Sequence, residues 1–243
     1  MTLTRKIVLR DAPPLVGTEI AVYIDGKATD KHDGFTFVIA RIVIPVDTEH
    51  FTIEWGDGSS EIRYESVSDL AHTYARPGLY RIRLCDAISN VTVSASAGSD
   101  NNEIYAPMVR EVRVMSSKIH TIARCAFMNA YNLEKVEFRG SRVRTLATSA
   151  FYDCRALKSF DGFEEIEKIM MSAFHGCTGL PERIDLPNVI NISAGAIYSP
   201  FIGTNIKEFH FAAKNEATIK ELQFYKDTGG NLGVEGAVCV FDL

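Results

Sequence analysis

Four alanines, Ala126, Ala150, Ala173 and Ala196, recur along this chain at spacings of 24, 23 and 23 residues. Phe127, Phe151 and Phe174 follow the first three, and Ile197 follows the fourth. Four residues before each alanine stands Ile122, Leu146, Ile169 or Ile192, and seven before stands Ile119, Val143, Ile166 or Val189. Six residues after each phenylalanine comes Leu133, Leu157 or Leu180; the last copy reaches Ile206 after a short insertion, YSPFIGTN. An earlier half-unit, Val109, Val112 and Val114, matches Leu133, Val136 and Phe138 at a spacing of 24. A unit of this size cannot bury its apolar side alone, so units must stack and share a continuous core.

Stacking turns equivalent positions into ladders, which explains a fragment that otherwise looks catalytic. In AFYDCRAL (150–157), Cys154 shares its position with Cys177, and Ala130 and Pro200 stand there in the other copies. Small or semi-apolar residues in that column define a tight slot, where cysteine acts as a small hydrophobe. His175 sits two residues before Cys177, but its equivalents are Met128, Tyr152 and Tyr198, so the column asks for bulk and not for a base. The five cysteines include no CxxC and no metal-ligand spacing, which argues against a disulfide framework.

The pattern Ile-x-x-Ile-x-x-x-Ala-Phe-x-x-Cys-x-x-Leu-x-x-Val/Phe resembles the BspA-type leucine-rich repeat of bacterial and protist surface proteins. It is carried by IHTIARCAFMNAYNLEKV, VRTLATSAFYDCRALKSF and IEKIMMSAFHGCTGL, over roughly residues 109–212. The resemblance implies a repeat solenoid with a binding role at a bacterial surface.

Residues 1–87 have another texture. FTIEW and YRIRL alternate apolar and polar residues as half-buried strands require, and TRKIVL, EIAVYID, FTFVIARIVI and EIRYE are further strand candidates. Asp25-Gly26, Gly56-Asp57-Gly58 and Pro77-Gly78 mark turns between them, so the region reads as a β-sandwich. WGDGS (55–59) followed by HTYARPGLYRIRL (72–84) resembles the polycystic-kidney-disease (PKD) domain, an immunoglobulin-like sandwich whose tryptophan enters the core. Asp57 could be a calcium ligand, but a turn aspartate that bonds its own backbone is the simpler account. SASAGSDNNE (94–103) is a polar loop leading to the repeats. After them, AAKNEATIKELQFYK (212–226) reads as a helix, and the loop DTGGNLG and the strand AVCVFDL complete a cap, since solenoid ends need covering. GGNLG lacks the lysine and Ser/Thr of a phosphate-binding loop.

The expected fold is therefore mainly β: a PKD-like sandwich at 1–87, leucine-rich repeats at 88–212 and a helix-strand cap at 213–243. A net charge of −5 gives no basic stripe for nucleic acid. No apolar run approaches the roughly 20 residues that would span a bilayer, and Arg10 and Asp11 interrupt the short run at Ile7–Leu9, leaving no signal-peptide core. Without a catalytic motif, cofactor fingerprint or metal set, the sequence predicts a non-enzymatic recognition or adhesion protein with a protein or glycan partner. The resemblance places it at the cell surface or outside the cell, while the lack of a signal peptide leaves a particle-associated or cytoplasmic location open; a component of a phage tail or surface layer is the alternative function, and a metal-dependent or cysteine enzyme using the repeat face a weaker one. In each repeat the strand after the framework leucine points alternate residues outward. One outward column reads Arg113, Glu137, Asp161, Asp185 and His210, and the other Glu111, Lys135, Ser159, Arg183 and Glu208. Glu137, Asp161 and Asp185 would form an acidic row, offset by Arg113, Lys135 and Arg183 or receiving a basic segment or a divalent cation.

Overall fold

The computed structural model describes residues 16–94, 101–138, 140–193, 199–212 and 232–242. In the N-terminal region seven strands form: β1 (Gly17–Ile24), β2 (Thr36–Val43), β3 (Phe51–Glu54), β4 (Ser60–Arg63), β5 (Val67–Thr73), β6 (Gly78–Leu84) and β7 (Asn90–Thr92). They make two antiparallel layers, one ordered β1-β6-β3-β4 and the other β5-β2-β7. Alternation supplies the core: Ile20, Val22, Ile24, Phe37, Ile39, Phe51, Ile53, Ile82 and Leu84 are buried. Trp55 lies fully buried among them, its Nε1 donating to Glu61 Oε1 at 2.8 Å. Tyr74 donates its hydroxyl to the Trp55 carbonyl at 3.0 Å, tying the end of β5 to the end of β3. Gly56 follows the tryptophan at φ +84°, where a Cβ would lie 2.7 Å from the Arg81 backbone, so the turn requires glycine. The strand candidate TRKIVL lies outside the described residues.

The repeat region contributes β8 (Val109–Met115), β9 (Thr121–Ile122), β10 (Lys135–Glu137), β11 (Thr145–Leu146), β12 (Ser159–Asp161), β13 (Lys168–Ile169), β14 (Arg183–Asp185), β15 (Asn191–Ile192), β16 (Glu208–Ala212) and β17 (Val238–Asp242). Each turn of chain adds one strand to each of two parallel ladders. One ladder is β9-β11-β13-β15. The other runs β8-β10-β12, then β14-β16-β17, with no pairing between β12 and β14 among the described strands. At that break Gly162 sits at φ +135°, where a Cβ would come within 2.8 Å of Phe138, and the chain turns so that Phe163 enters the core.

Between the ladders the phenylalanines stack. Ring centroids lie 5.5 Å apart for Phe127–Phe151, 5.6 Å for Phe151–Phe174 and 5.3 Å for Phe174–Phe201, with planes within about 11° of parallel. Backbone bonds follow the same rule: Phe127 N–H donates to Ala150, Phe151 to Ala173 and Phe174 to Pro200. The fourth copy of the Ala-Phe pair is thus Pro200-Phe201, and not Ala196-Ile197 as the 23-residue period suggests. The slot shared by Cys154 and Cys177 is accordingly filled there by Thr204, and His175 aligns with Ile202 in place of Tyr198. Ala196, Ile197 and Tyr198 lie outside the described residues. An aromatic ring is needed to continue the stack, so the insertion falls before the pair.

The two regions are joined through their sheets. β8 pairs antiparallel with β1 and parallel with β10, giving one seven-stranded sheet, β12-β10-β8-β1-β6-β3-β4. At the end of β7, Val93 and Ser94 donate backbone bonds to Ala126, and Ser94 Oγ bonds the Met128 carbonyl at 2.5 Å. The hydrogen-bonded framework of the N-terminal region therefore runs past residue 87 and reaches the first repeat. At the other end β17 continues the ladder in register, Glu208 opposite Val238 and Phe209 opposite Cys239. The expected helix at 212–226 lies, beyond Ala212, outside the described residues, as does the first part of DTGGNLG.

Candidate functional site

Parallel pairing sets the outward residues of the stack in register. Glu111, Lys135 and Ser159 lie opposite one another, as do Arg113, Glu137 and Asp161. Past the break, Arg183 faces Glu208 and Asp185 faces His210. The alignment of the outward columns holds, but the acidic row is divided: Glu137 and Asp161 are neighbours, and Asp185 belongs to the next sheet.

Because β8 also pairs with β1, these rows continue across the N-terminal sheet, which the sequence reading did not anticipate. One row runs Glu54, Arg83, Glu19, Arg113, Glu137, Asp161, alternating in sign until its last pair. The side chains use that alternation. Glu19, only 7% exposed, accepts from Arg81 and Arg83 at 3.0 Å each. Arg81 also reaches Glu111 at 3.0 Å, and this bond, with Glu19, raises the Arg81 pKa against the opposing effect of burial. Arg113 bonds Glu137 at 3.0 Å, with Lys135 at 3.4 Å from the same carboxylate. Beyond the break Arg183 pairs with Asp185 at 3.0 Å and Glu208 at 3.5 Å, and His210 bonds Glu208. The interlocked side chains between Glu19 and Glu137 leave a recess of about 10 Å³. That is room for one water at most, so the face is a flat charged surface and not a small-molecule pocket.

A further column escaped the sequence reading. Arg110, Glu134, Lys158, Glu182 and Lys207 occupy equivalent positions and alternate in sign. Lys158 pairs with Glu134 and Lys207 with Glu182, both at 2.5 Å; the Lys158 bond holds the Glu134 carboxyl below its usual range. The signal was available in the alternation of sign at the repeat spacing.

The chemistry suggested by single residues dissolves into packing. Cys154 is fully buried and its Sγ bonds the Phe127 carbonyl at 3.2 Å; Cys177 Sγ bonds Phe151 at 3.0 Å. Burial, with Cys177 nearby, pushes the Cys154 thiol well above its ordinary pKa, so the nucleophilic thiolate is disfavoured. His175 stacks on Tyr152 at 4.6 Å. Asp57 accepts from the Ser59 N–H and hydroxyl at 2.9 and 2.6 Å and faces His72 Nε2 at 2.8 Å, which closes the turn on itself. Among the described residues no disulfide links the cysteines. Among the described residues no group of three or more His, Cys, Asp or Glu is placed to hold a metal ion, and no helix is long and apolar enough to cross a membrane.

Two ladders, stacked rings and outward charged columns define a leucine-rich-repeat solenoid fused to a two-layered β unit. Residues 109–229 match the family described as BspA type leucine rich repeat region, in six copies, so the repeat region is of that type. Among solved structures the chain is similar to a leucine rich cell surface protein from Faecalibacterium prausnitzii, with 18% identity and a TM-score of 0.39. The match covers 70% of this chain and 45% of that one, so the chain spans less than half of its length. No curated protein matches the sequence.

Proposed function

We propose that the protein is a non-enzymatic binding protein of the cell surface, in which the outward strand face of the repeats meets a protein or glycan partner. The observation that carries this reading is the face itself. Residues from β6 to β12 hold a fixed pattern of paired charges on one continuous sheet, with the recess too small for a substrate. Such a surface steers and selects a partner by complementary charge. The buried thiols support a non-catalytic role, and the BspA-type repeats support the surface location. The N-terminal unit acts as a PKD-like stalk; the buried Trp55, the Gly56-Asp57-Gly58 turn and the Pro77-Gly78 turn into β6 support that assignment. β17 covers the end of the ladder and serves as its cap.

Within this face the contact centres on Glu137 and Asp161, the one place where the alternating row sets like charges side by side. Asp185, Arg183, Lys135, Arg113 and His210 frame it, and the partner brings a basic segment or a divalent cation to this part of the face. Asp161→Lys tests the reading, because it extends the alternation of the row. If the face only maintains the fold, the variant melts at the same temperature or slightly higher and still binds a partner captured by the wild type. Retained stability with lost binding is the expected outcome, and unaltered affinity removes the acidic pair from the contact.

A further inference from the structure

A cleft of about 610 Å³ opens where the first turn of the stack meets the loop after β1. Small-molecule sites span roughly 300–1,000 Å³ and favour junctions between structural units. Ile104, Pro107 and Met108 form part of its wall. On β1, register shifts between Ala21 and Val22, and Tyr23 presents its ring to the cleft while Val22 and Ile24 stay in the core. Irregularities of this kind commonly re-aim a side chain.

Arg110 lines the same cleft. Its Nη1 donates to the Pro107 and Val109 carbonyls at 2.6 and 3.2 Å, and its guanidinium lies 5.5 Å from the Tyr23 ring centroid. Asn132 bonds the same Pro107 carbonyl at 2.8 Å, fixing the clasp. The same local clasp, on the carbonyls three and one residues before the arginine, recurs in the other ladder: Arg144 Nη1 donates to Ser141 and Val143 at 3.1 and 2.8 Å. There the guanidinium also meets two carboxylates, Glu165 at 3.2 Å and Glu167 at 3.8 Å. Among the described residues Arg110 has the clasp without an ion-paired carboxylate, and Glu134, the acid of its own column, is held by Lys158. Partial burial lowers the Arg110 pKa, with Glu134, Tyr23 and Asp25 opposing. Lys27 brings a second amine to the cleft, also without an ion pair among the described residues. Asp25 and Asp30 line the opposite polarity: Asp25 accepts a backbone bond from Lys27 at 2.8 Å, and Asp30 adds acceptor oxygens.

We infer that this cleft binds a carboxylate-bearing saccharide of the uronic- or sialic-acid class. Its carboxylate meets Arg110 and Lys27, and its hydroxyls donate to Asp25 and Asp30. The planar guanidinium fork matches a carboxylate, and ionised Asp can only accept, which selects hydroxyl-rich ligands. Tyr23 supplies an apolar wall with a polar tip. An extended peptide is disfavoured because both edges of β1 are already paired, by β6 and β8, leaving no backbone edge to bind it. The site is separate from the strand face and stands independently of the function proposed for that face.

The test is titration calorimetry of the full chain with glucuronic acid and N-acetylneuraminic acid. Glucose is the neutral control, and a short peptide with a free or an amidated C-terminus is the competing class. The expected result is saturable binding of at least one acidic sugar, weakened by salt, with no binding of glucose. Arg110→Met lowers that affinity about tenfold or more, the usual scale for a charged hydrogen bond, while Asp161→Lys leaves it unchanged. Lys27→Glu, at an exposed position, also abolishes binding and keeps the test decisive should Arg110→Met not fold. Lack of saturable binding by both acids, equal binding of glucose, indifference to the Arg110 and Lys27 variants, or binding of the free-acid peptide alone overturns the inference.

Discussion

In the N-terminal unit a buried polar group finds its partner on a residue that occurs once; in the stack it finds it one turn away, in the same column. The Tyr74 hydroxyl bonds the Trp55 carbonyl and the Trp55 indole bonds Glu61, and neither interaction has a second copy. Cys154 bonds Phe127 and Cys177 bonds Phe151, the same contact moved along by one repeat. The first arrangement depends on long-range antiparallel pairing, and the second on neighbours alone, as in a one-dimensional array. The difference teaches where damage should travel. A lesion in the N-terminal unit removes something unique, whereas a lesion in the stack weakens one interface on each side.

The sharpest way to break that comparison is Phe151→Ala. Phe151 lies between Phe127 and Phe174 and touches Phe138 and Phe160 edge-on or tilted, so the cavity is enclosed on all sides. Loss of about 3–5 kcal/mol is expected in denaturant unfolding. Hydrogen exchange should rise first in β10, β12 and their neighbouring turns, with β2 and β5 unaffected. If exchange rises equally in β2 and β5, the stack does not behave as an array of neighbours.

How far the sequence predicts this molecule differs between the regions for the same reason. A repeat writes its contacts several times, so Ile122, Leu146, Ile169 and Ile192, or Phe127, Phe151 and Phe174, reveal one position by agreement. Period alone misplaces the fourth copy, whereas side-chain chemistry locates it: Pro200-Phe-Ile-Gly203 mirrors Ala173-Phe-His-Gly176 more closely than Ala196-Ile197 does. In the N-terminal region alternation revealed β3 and β6, yet β5 passed unnoticed, since Leu70 is its one buried residue. The pairing of β1 with β8 leaves no periodic trace, because two strands some ninety residues apart share only compatible faces. The outward columns were legible within the stack, while their continuation to Glu19, Arg81 and Arg83 depended on that invisible pairing. The cleft at Arg110 was equally hidden, for its walls come from both regions.

Glu19 tests whether the two regions act as one. Its carboxylate takes bonds from Arg81 and Arg83, which are 42% and 52% exposed and keep much of their hydration. Glu19→Gln is therefore expected to cost about 1–2 kcal/mol, below the loss for a fully buried ion pair. Hydrogen exchange should loosen β6 and β8 together, since both flank β1. Loosening confined to β6 would show that the shared sheet does not couple them.

Asp57 offers a smaller effect confined to the N-terminal unit. Burial opposes its ionisation, but bonds from Ser59 and His72 prevail and hold its pKa at about 2. A carboxylate whose folded pKa is depressed stabilises the fold above its unfolded pKa, near 4, and loses that contribution as pH falls toward 2. The amount is about 1 kcal/mol, because solvent reaches the turn and screens the pair. Melting curves between pH 5 and 2 should show the wild type losing this increment relative to Asp57→Asn, whose own acid dependence is shallower. Parallel acid dependence in the two proteins would remove Asp57 from the account.

An equally small effect is expected where the sequence most resembles an active site. Cys154→Ala removes one sulfur from a slot that already accepts Ala130 in the preceding turn and Thr204 further along. The loss is roughly that of one buried methylene-sized group plus a weak thiol hydrogen bond, about 1 kcal/mol. Its two neighbours in the ladder, the Phe127 carbonyl and Cys177, remain in place, so the variant should fold, stack and bind as the wild type does. Thiol labelling gives an independent reading. Cys85 and Cys239 are partly exposed, while Cys125, Cys154 and Cys177 are buried. A thiol-specific reagent should therefore modify the first two in the native protein and reach the others only on unfolding. Rapid native labelling of Cys154, or a well-folded Cys154→Ala protein that no longer binds its partner, would mean that this thiol is poised for chemistry and that the ladder does not explain it.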